Sequence, residues 1–209
     1  MSLRPAFRQF RILLAGIFVM IPLFGIHAQD KPVLGSSNVA LANPPMPVPG
    51  TKPCAVQLFP SERFGAKGAD YRMGSLPHGF QYQPPEDCKG PWSKVVLVAN
   101  FSVDPGRQYD RTASIWLDNV NLYYGTTQEP SQKSGPSWKI ERDLTAYSSL
   151  LRKPGKGEVL INNWVDSRRA SYIHASARLL FYPADARYPA QRTPNVIYPL
   201  NSKDELPAI

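Results

Sequence analysis

Apolar and polar positions alternate along several short stretches of this chain, and a period of two is the pattern of a half-buried β-strand. Val95, Leu97, Ala99, Phe101 and Val103 share one face of such a stretch, and Val96, Val98, Asn100 and Ser102 share the other. Residues 111–117, 120–124 and 137–141 repeat the alternation in shorter segments rich in β-branched and aromatic side chains. Residues 158–164 follow, and then 172–182, where Ile173, Ala175, Ala177, Leu179 and Phe181 form a continuous inner face. The helical signal is confined to 143–151, with Thr145 placed as an N-cap and Pro154 ending the segment after about two turns. Glu141 and Asp143 are expected to organise the entry to that turn through charge and capping. Many strands with almost no helix predict an all-β fold, an antiparallel two-sheet jelly-roll sandwich with one short helix.

The turn signal Asp104-Pro105-Gly106 leads into Arg107-Gln108-Tyr109-Asp110-Arg111 and then the strand from Thr112. This order puts Asp110 at the mouth of a strand, where a loop on a rigid scaffold carries chemistry. Trp116 and Trp138, on alternating strands, are expected in the core, whereas Trp164 sits at a strand end beside Val165-Asp166-Ser167 and is a candidate sugar platform. His174 falls on the strand face opposite the apolar one.

The ends of the chain read differently from its middle. Arg4, Arg8 and Arg11 precede the apolar run 12–26, and Ala28 is placed for cleavage, so residues 1–28 read as a secretory signal peptide. The run is shorter than the ~20 apolar residues that span a bilayer, so no stable membrane span is expected after cleavage. Residues 29–51 are Pro-rich and without periodicity, a linker. The jelly-roll domain is expected over 52–184, and 185–209 as a second Pro-rich extension, heading towards a further domain.

Composition narrows the function classes. Among 209 residues the formal net charge is +8, and cleavage after Ala28 would remove three arginines and no acid, leaving +5. The basic residues are scattered without a run of five, which argues against a nucleic-acid partner. Cys54 and Cys88 lie in the exported portion, where an oxidising compartment favours a disulfide, and a secreted or periplasmic location follows. Two distant cysteines with His78 and His174 give no metal-ligand spacing, so no metal is expected. Walker-type, Gly-x-Ser-x-Gly, His-Glu-x-x-His and dinucleotide motifs do not occur in the chain.

A series of short motifs then appears in order: Cys54, Pro84-Pro85-Glu86-Asp87-Cys88, Ser93-Lys94-Val95-Val96-Leu97, Gly106-Arg107-Gln108-Tyr109-Asp110-Arg111, Trp116-Leu117, Glu129-Pro130, 138–143, 145–151 and Val165-Asp166-Ser167. The series resembles the N-terminal part of the peptide N-glycosidase A family over residues 53–200. These are amidases that release intact N-glycans from asparagine. The resemblance implies two jelly rolls side by side with the site in the cleft between them, of which this chain carries the first. It also implies that Asp110 matches the catalytic aspartate and Arg111 a neighbour that holds substrate. A second catalytic carboxylate is expected from the second jelly roll, a partner in cis, so that this part alone is expected to be inactive. In the related peptide N-glycosidase F, an acid two residues before a tryptophan would fall on Asn162 before Trp164, an amide in this chain; Glu129 is the alternative negative group. Arg111, Glu129, Asn162 and Trp164 are therefore the expected substrate contacts, for an N-linked glycopeptide or glycan, with no cofactor. Two other readings stand beside this one, a non-catalytic carbohydrate-binding jelly roll and a structural half-domain.

Overall fold

A computed structural model of the chain describes residues 46–67 and 76–199. The expected signal peptide, residues 29–45 of the expected linker and the end of the expected extension lie outside the described residues. The described residues form strands β1 (Cys54–Phe64), β2 (Ala66–Lys67), β3 (His78–Tyr82), β4 (Trp92–Val103), β5 (Thr112–Leu117), β6 (Val120–Thr126), β7 (Ser137–Asp143), β8 (Gly155–Ile161), β9 (Trp164–Val165) and β10 (Ile173–Pro183), of which β4 to β8 and β10 overlap the period-two stretches.

Two four-stranded antiparallel sheets carry the fold, one ordered β1-β10-β4-β7 and the other β3-β8-β5-β6, and β2 pairs in parallel with β9. The chain enters the first sheet at β1 and leaves it at β10, which lie side by side. β3 and β8 are neighbours in the second sheet in the same way. That nested pairing is the jelly-roll wrap expected from the strand count.

The inner faces form one core. Val95, Leu97, Ala99, Phe101 and Val103 of β4 and Ile173, Ala175, Ala177, Leu179 and Phe181 of β10 pack with Ala113, Ile115, Leu117, Val159 and Ile161 of the second sheet. The other face of β4 is covered as well. Val96 and Val98 are buried with Tyr182, and Met46 and Leu180 pack on them. The Met46 N–H donates to Glu141 Oε2 at 2.6 Å and Lys94 Nζ donates to the Pro47 carbonyl at 3.0 Å, so residues 46 and 47 lie across that sheet.

Three local expectations change. The short helix at 143–151 is two 3-10 turns, Thr145–Tyr147 and Leu150–Arg152. Thr145 does not cap them: Asp143 Oδ1 accepts the Thr145 N–H at 2.9 Å, while Thr145 Oγ1 accepts the Val95 N–H at 3.0 Å, tying the turn to β4. Trp116 is not a core residue, because Ile115 and Leu117 take the inward positions of β5 and leave it half-exposed on the outer face. Trp138 is buried and stacks on Phe101 with ring centroids 5.3 Å apart, as its alternation implied. Residue Ile197 packs against the core, so the C-terminal segment stays on the domain at that point.

Cys54 and Cys88 form the expected disulfide, with Cα atoms 6.2 Å apart, within the usual range for such a bridge. It ties the start of β1 to the loop before β4.

Candidate functional site at the mouth of strand β5

Backbone hydrogen bonds fix the loop 104–111 before any side chain acts. The Asp104 N–H donates to the Tyr172 carbonyl at 2.9 Å and the Gly106 N–H to the Ser131 carbonyl at 2.8 Å. Gly106 has φ of +138°, a region open to glycine, and a Cβ there would lie 2.6 Å from Ser171 Oγ. The loop is thus held between the β9–β10 connection and the β6–β7 loop.

Gln108 anchors its middle. The side chain is 3% exposed. Its Nε2 donates to the carbonyls of Trp164 (2.9 Å) and Ser171 (3.3 Å), and its Oε1 accepts from the Tyr109 N–H (3.0 Å) and from an Arg111 guanidinium nitrogen (2.7 Å). One buried amide therefore joins the Asp110 loop to the β9 strand.

Arg111 is the next layer. Its N–H donates to Thr127 Oγ1, its carbonyl accepts the Thr127 N–H, both at 2.8 Å, and its guanidinium lies 3.9 Å from the centre of the Trp164 ring. Tyr109, 43% exposed, lies on the same cation at 5.7 Å. Arg169 sits 5.9 Å from both the Tyr109 and the Trp164 rings. A planar guanidinium on an indole face is a stable arrangement that a lysine would not reproduce.

Asp110 stands at the exposed rim. Its N–H reaches Glu129 Oε1 at 3.4 Å, its carbonyl accepts from Arg111 at 3.1 Å, and the residue is exposed. The fold therefore brings Asp110, Arg111, Glu129 and Trp164 together. Asn162, half-buried between β8 and β9, is close in sequence to Trp164 but makes no hydrogen bond to Asp110 or Arg111 among the described residues. Its neighbour Asn163 is fully buried and its amide donates to the carbonyls of Phe64 (3.0 Å) and Ser171 (3.2 Å). His174 pairs with Asp104 at 3.1 Å, away from this cluster.

Residues 45–207 match the family model described as peptide N-acetyl-beta-D-glucosaminyl asparaginase amidase A. The chain belongs to that family. A curated relative, peptide-N4-(N-acetyl-beta-glucosaminyl)asparagine amidase A of Prunus dulcis, is 33% identical over 140 residues, covering 67% of this chain and 23% of its own length. The chain thus spans about a quarter of that relative. Among solved structures, dimeric latent PorU from Porphyromonas gingivalis aligns at 7% identity and a TM-score of 0.32, over 60% of this chain and 12% of that one. The Tobacco streak virus coat protein aligns at 11% identity and a TM-score of 0.29, over 75% of this chain and all of that one. Likeness at that level carries no argument about this molecule.

Electrostatics at this end of the domain centre on the arginines. Burial lowers the Arg111 pKa below its ordinary value and the nearby Arg169 cation adds to that, while Asp110, Glu129 and Tyr109 oppose it. An arginine so placed remains a cation at any physiological pH. Hydrogen bonds from the Arg169 side chain, then from the Arg169 and Arg168 N–H groups, bring Asp166 down to about 2. Asp166 in turn fixes Arg169 behind the aromatic pair. Three buried polar atoms at this end, Arg111 Nε, Trp164 Nε1 and Gln128 Oε1, have no hydrogen-bond partner among the described residues. Unpaired buried polar groups are uncommon, and two of these belong to the stacked guanidinium and indole themselves. Thr127 and Arg169 carry no local sequence signal, and Gln108 and Tyr109 lie inside the motif at 106–111, where nothing local marks an amide as a buried hub.

Proposed function

We propose that this chain is the N-terminal module of an exported amidase that hydrolyses the N-acetylglucosamine–asparagine amide bond of N-linked glycopeptides, with Asp110 as its catalytic carboxylate. The family match over residues 45–207 carries this reading, because the chemistry of amide release gives a role to the arrangement at the mouth of β5.

Water adds to the amide carbonyl carbon, the carbon–nitrogen bond breaks, the asparagine becomes aspartate, and the sugar leaves as a glycosylamine that has gained a proton. Such a reaction needs a carboxylate to orient or deprotonate the water and donors for the developing oxyanion. Asp110 on its fixed, exposed loop suits the first task. Arg111, held by Gln108 and Trp164, supplies a cation beside it, and Glu129 and Trp164 flank the place where a sugar would rest. Asn162 borders the same end of β8 and is the amide offered to the glycan.

Because the chain spans about a quarter of its curated relative, we assign the second catalytic carboxylate to a further jelly roll in cis and expect the part described here to be inactive by itself. Export rests on the N-terminal sequence pattern and on the disulfide, which is compatible with an oxidising compartment.

Mass spectrometry of an N-glycosylated peptide incubated in heavy-oxygen water tests the reading, using this chain with and without the remaining residues of its full-length form. Asparagine-to-aspartate conversion carrying one heavy oxygen, seen with the full-length form and reduced at least a hundredfold by Asp110→Asn, is the expected result. An uncut glycopeptide with the folded full-length protein, or an Asp110→Asn variant that cuts normally, would overturn it.

A further inference from the structure

At the opposite end of β5 from Asp110 a cavity opens on the outer face of the sheet. It has a volume of about 250 Å³ and is lined by Trp116, Asp118, Asn119, Lys156, Gly157 and Glu158. Trp116 is six residues along the strand from Asp110, about 20 Å at the ~3.3 Å rise of extended chain. Nothing in the amidase reading uses it, and the inference does not depend on that reading.

The cavity is built by the turn that joins β5 to β6. Asp118 and Asn119 have φ of 45° and 64°, the paired left-handed conformation of a tight hairpin turn. The Asp118 N–H donates to the Lys156 carbonyl at 3.0 Å and Asp118 Oδ1 accepts the Lys156 N–H at 2.9 Å, so the turn is fastened to the start of β8. Its Oδ2 faces Gly155, where a Cβ would fall 2.5 Å away. Asp118 is therefore spent on structure.

What remains facing the space is chemically mixed. Trp116 is half-exposed, with Glu158 directly opposite it on β8 and Asn121 opposite it on β6. The Lys156 ammonium forms no ion pair, and the Asn119 amide no hydrogen bond, among the described residues. Two positions back along the same face, Tyr124 lies opposite Ser114 and is 59% exposed, extending the aromatic surface towards the Asp110 end. An indole face beside an amide, an ammonium and two carboxylates sets hydrogen-bond donors and acceptors around an apolar surface, which matches the apolar faces and vicinal hydroxyls of a sugar ring. The volume, just under the ~300 Å³ of small-ligand pockets, suits one or two such rings.

We infer that this cavity is a saccharide-binding subsite, separate from the Asp110 cluster, in which Trp116 is the stacking platform and Asn119 and Lys156 are the hydroxyl-binding groups. The test is a nuclear magnetic resonance titration of the chain with N,N′-diacetylchitobiose and with α-1,6-mannobiose. A saturable shift of the Trp116 indole N–H and the Gly157 amide is expected with at least one sugar, and Trp116→Ala should weaken it by about tenfold or more. Asn119→Gly keeps a residue suited to φ of 64° while deleting the amide, and should weaken binding with the fold intact. Asp110→Asn should leave the shift unchanged, which separates this site from failure of the amidase reading. No saturable shift with either sugar, a shift untouched by both cavity variants, or a response to tetramethylammonium in place of the sugars would overturn it.

Discussion

Gln108 shows how much of the site rests on a single buried amide. Its four hydrogen bonds hold two carbonyls, one backbone N–H and the Arg111 guanidinium. Gln108→Leu keeps the volume roughly but leaves those groups without partners in a dry place, where each costs ~1–3 kcal/mol. A loss of about 2–4 kcal/mol in denaturant unfolding is expected, together with loss of the Trp164 ring-current shift on Arg111. An unchanged ring-current shift would show that stacking alone positions the cation. Asp166 gives a prediction in pH. Its pKa, brought down to about 2, lies below the ~3.9 of an unfolded aspartate. The stabilisation from its pairing with Arg169 is therefore fully present above about pH 4 and disappears as pH falls through about 2. The carboxyl carbon of Asp166 should titrate with a midpoint near 2, and Arg169→Gln should move that midpoint up towards 3.9.

At the scale of the element, β8 is an inner strand that lies between β3 and β5 and meets the outer cavity at its start. A Cβ on Gly157 would collide with the Phe80 ring and lie 2.6 Å from the Trp116 carbonyl oxygen. The ring could shift, but the strand backbone could not without breaking the ladder. Gly157→Ala is expected to destabilise by about 1–3 kcal/mol, measured as a lower denaturant midpoint with the slope unchanged. β5 itself has two outward ends with different chemistry, Asp110 just before it and Trp116 near its close. Both positions follow from the same alternation that turns Ala113, Ile115 and Leu117 inward.

For the molecule as a whole, the disulfide is a covalent constraint set at the edge of the core, with Cys88 buried in it and Cys54 packed against it. It closes a loop with a sequence separation of 34, and removing that constraint from the unfolded chain corresponds to about 3–4 kcal/mol in the chain-entropy model. The Cys54→Ser/Cys88→Ser double variant should lose about that much stability with the two sheets retained in circular dichroism. A loss well below 1 kcal/mol would mean that the unfolded chain is already compact between these positions.

The sequence by itself determined the all-β class, the inner faces of β4 and β10, the disulfide partners and the loop that carries Asp110 and Arg111. Those features rest on period-two alternation, on turn residues and on ordered motifs, all of which act within a few neighbouring positions. β1 and β3 were not legible: Pro60 and two register shifts interrupt β1, and Gly79 leaves β3 with five residues and little pattern. The exposure of Trp116, the 3-10 turns after β7, the Gln108 hub, the stacking of Arg111 on Trp164 and the outer cavity were decided by tertiary structure alone. Each brings together residues tens of positions apart in the chain or depends on which face a sheet presents to its neighbour, and a local pattern records neither.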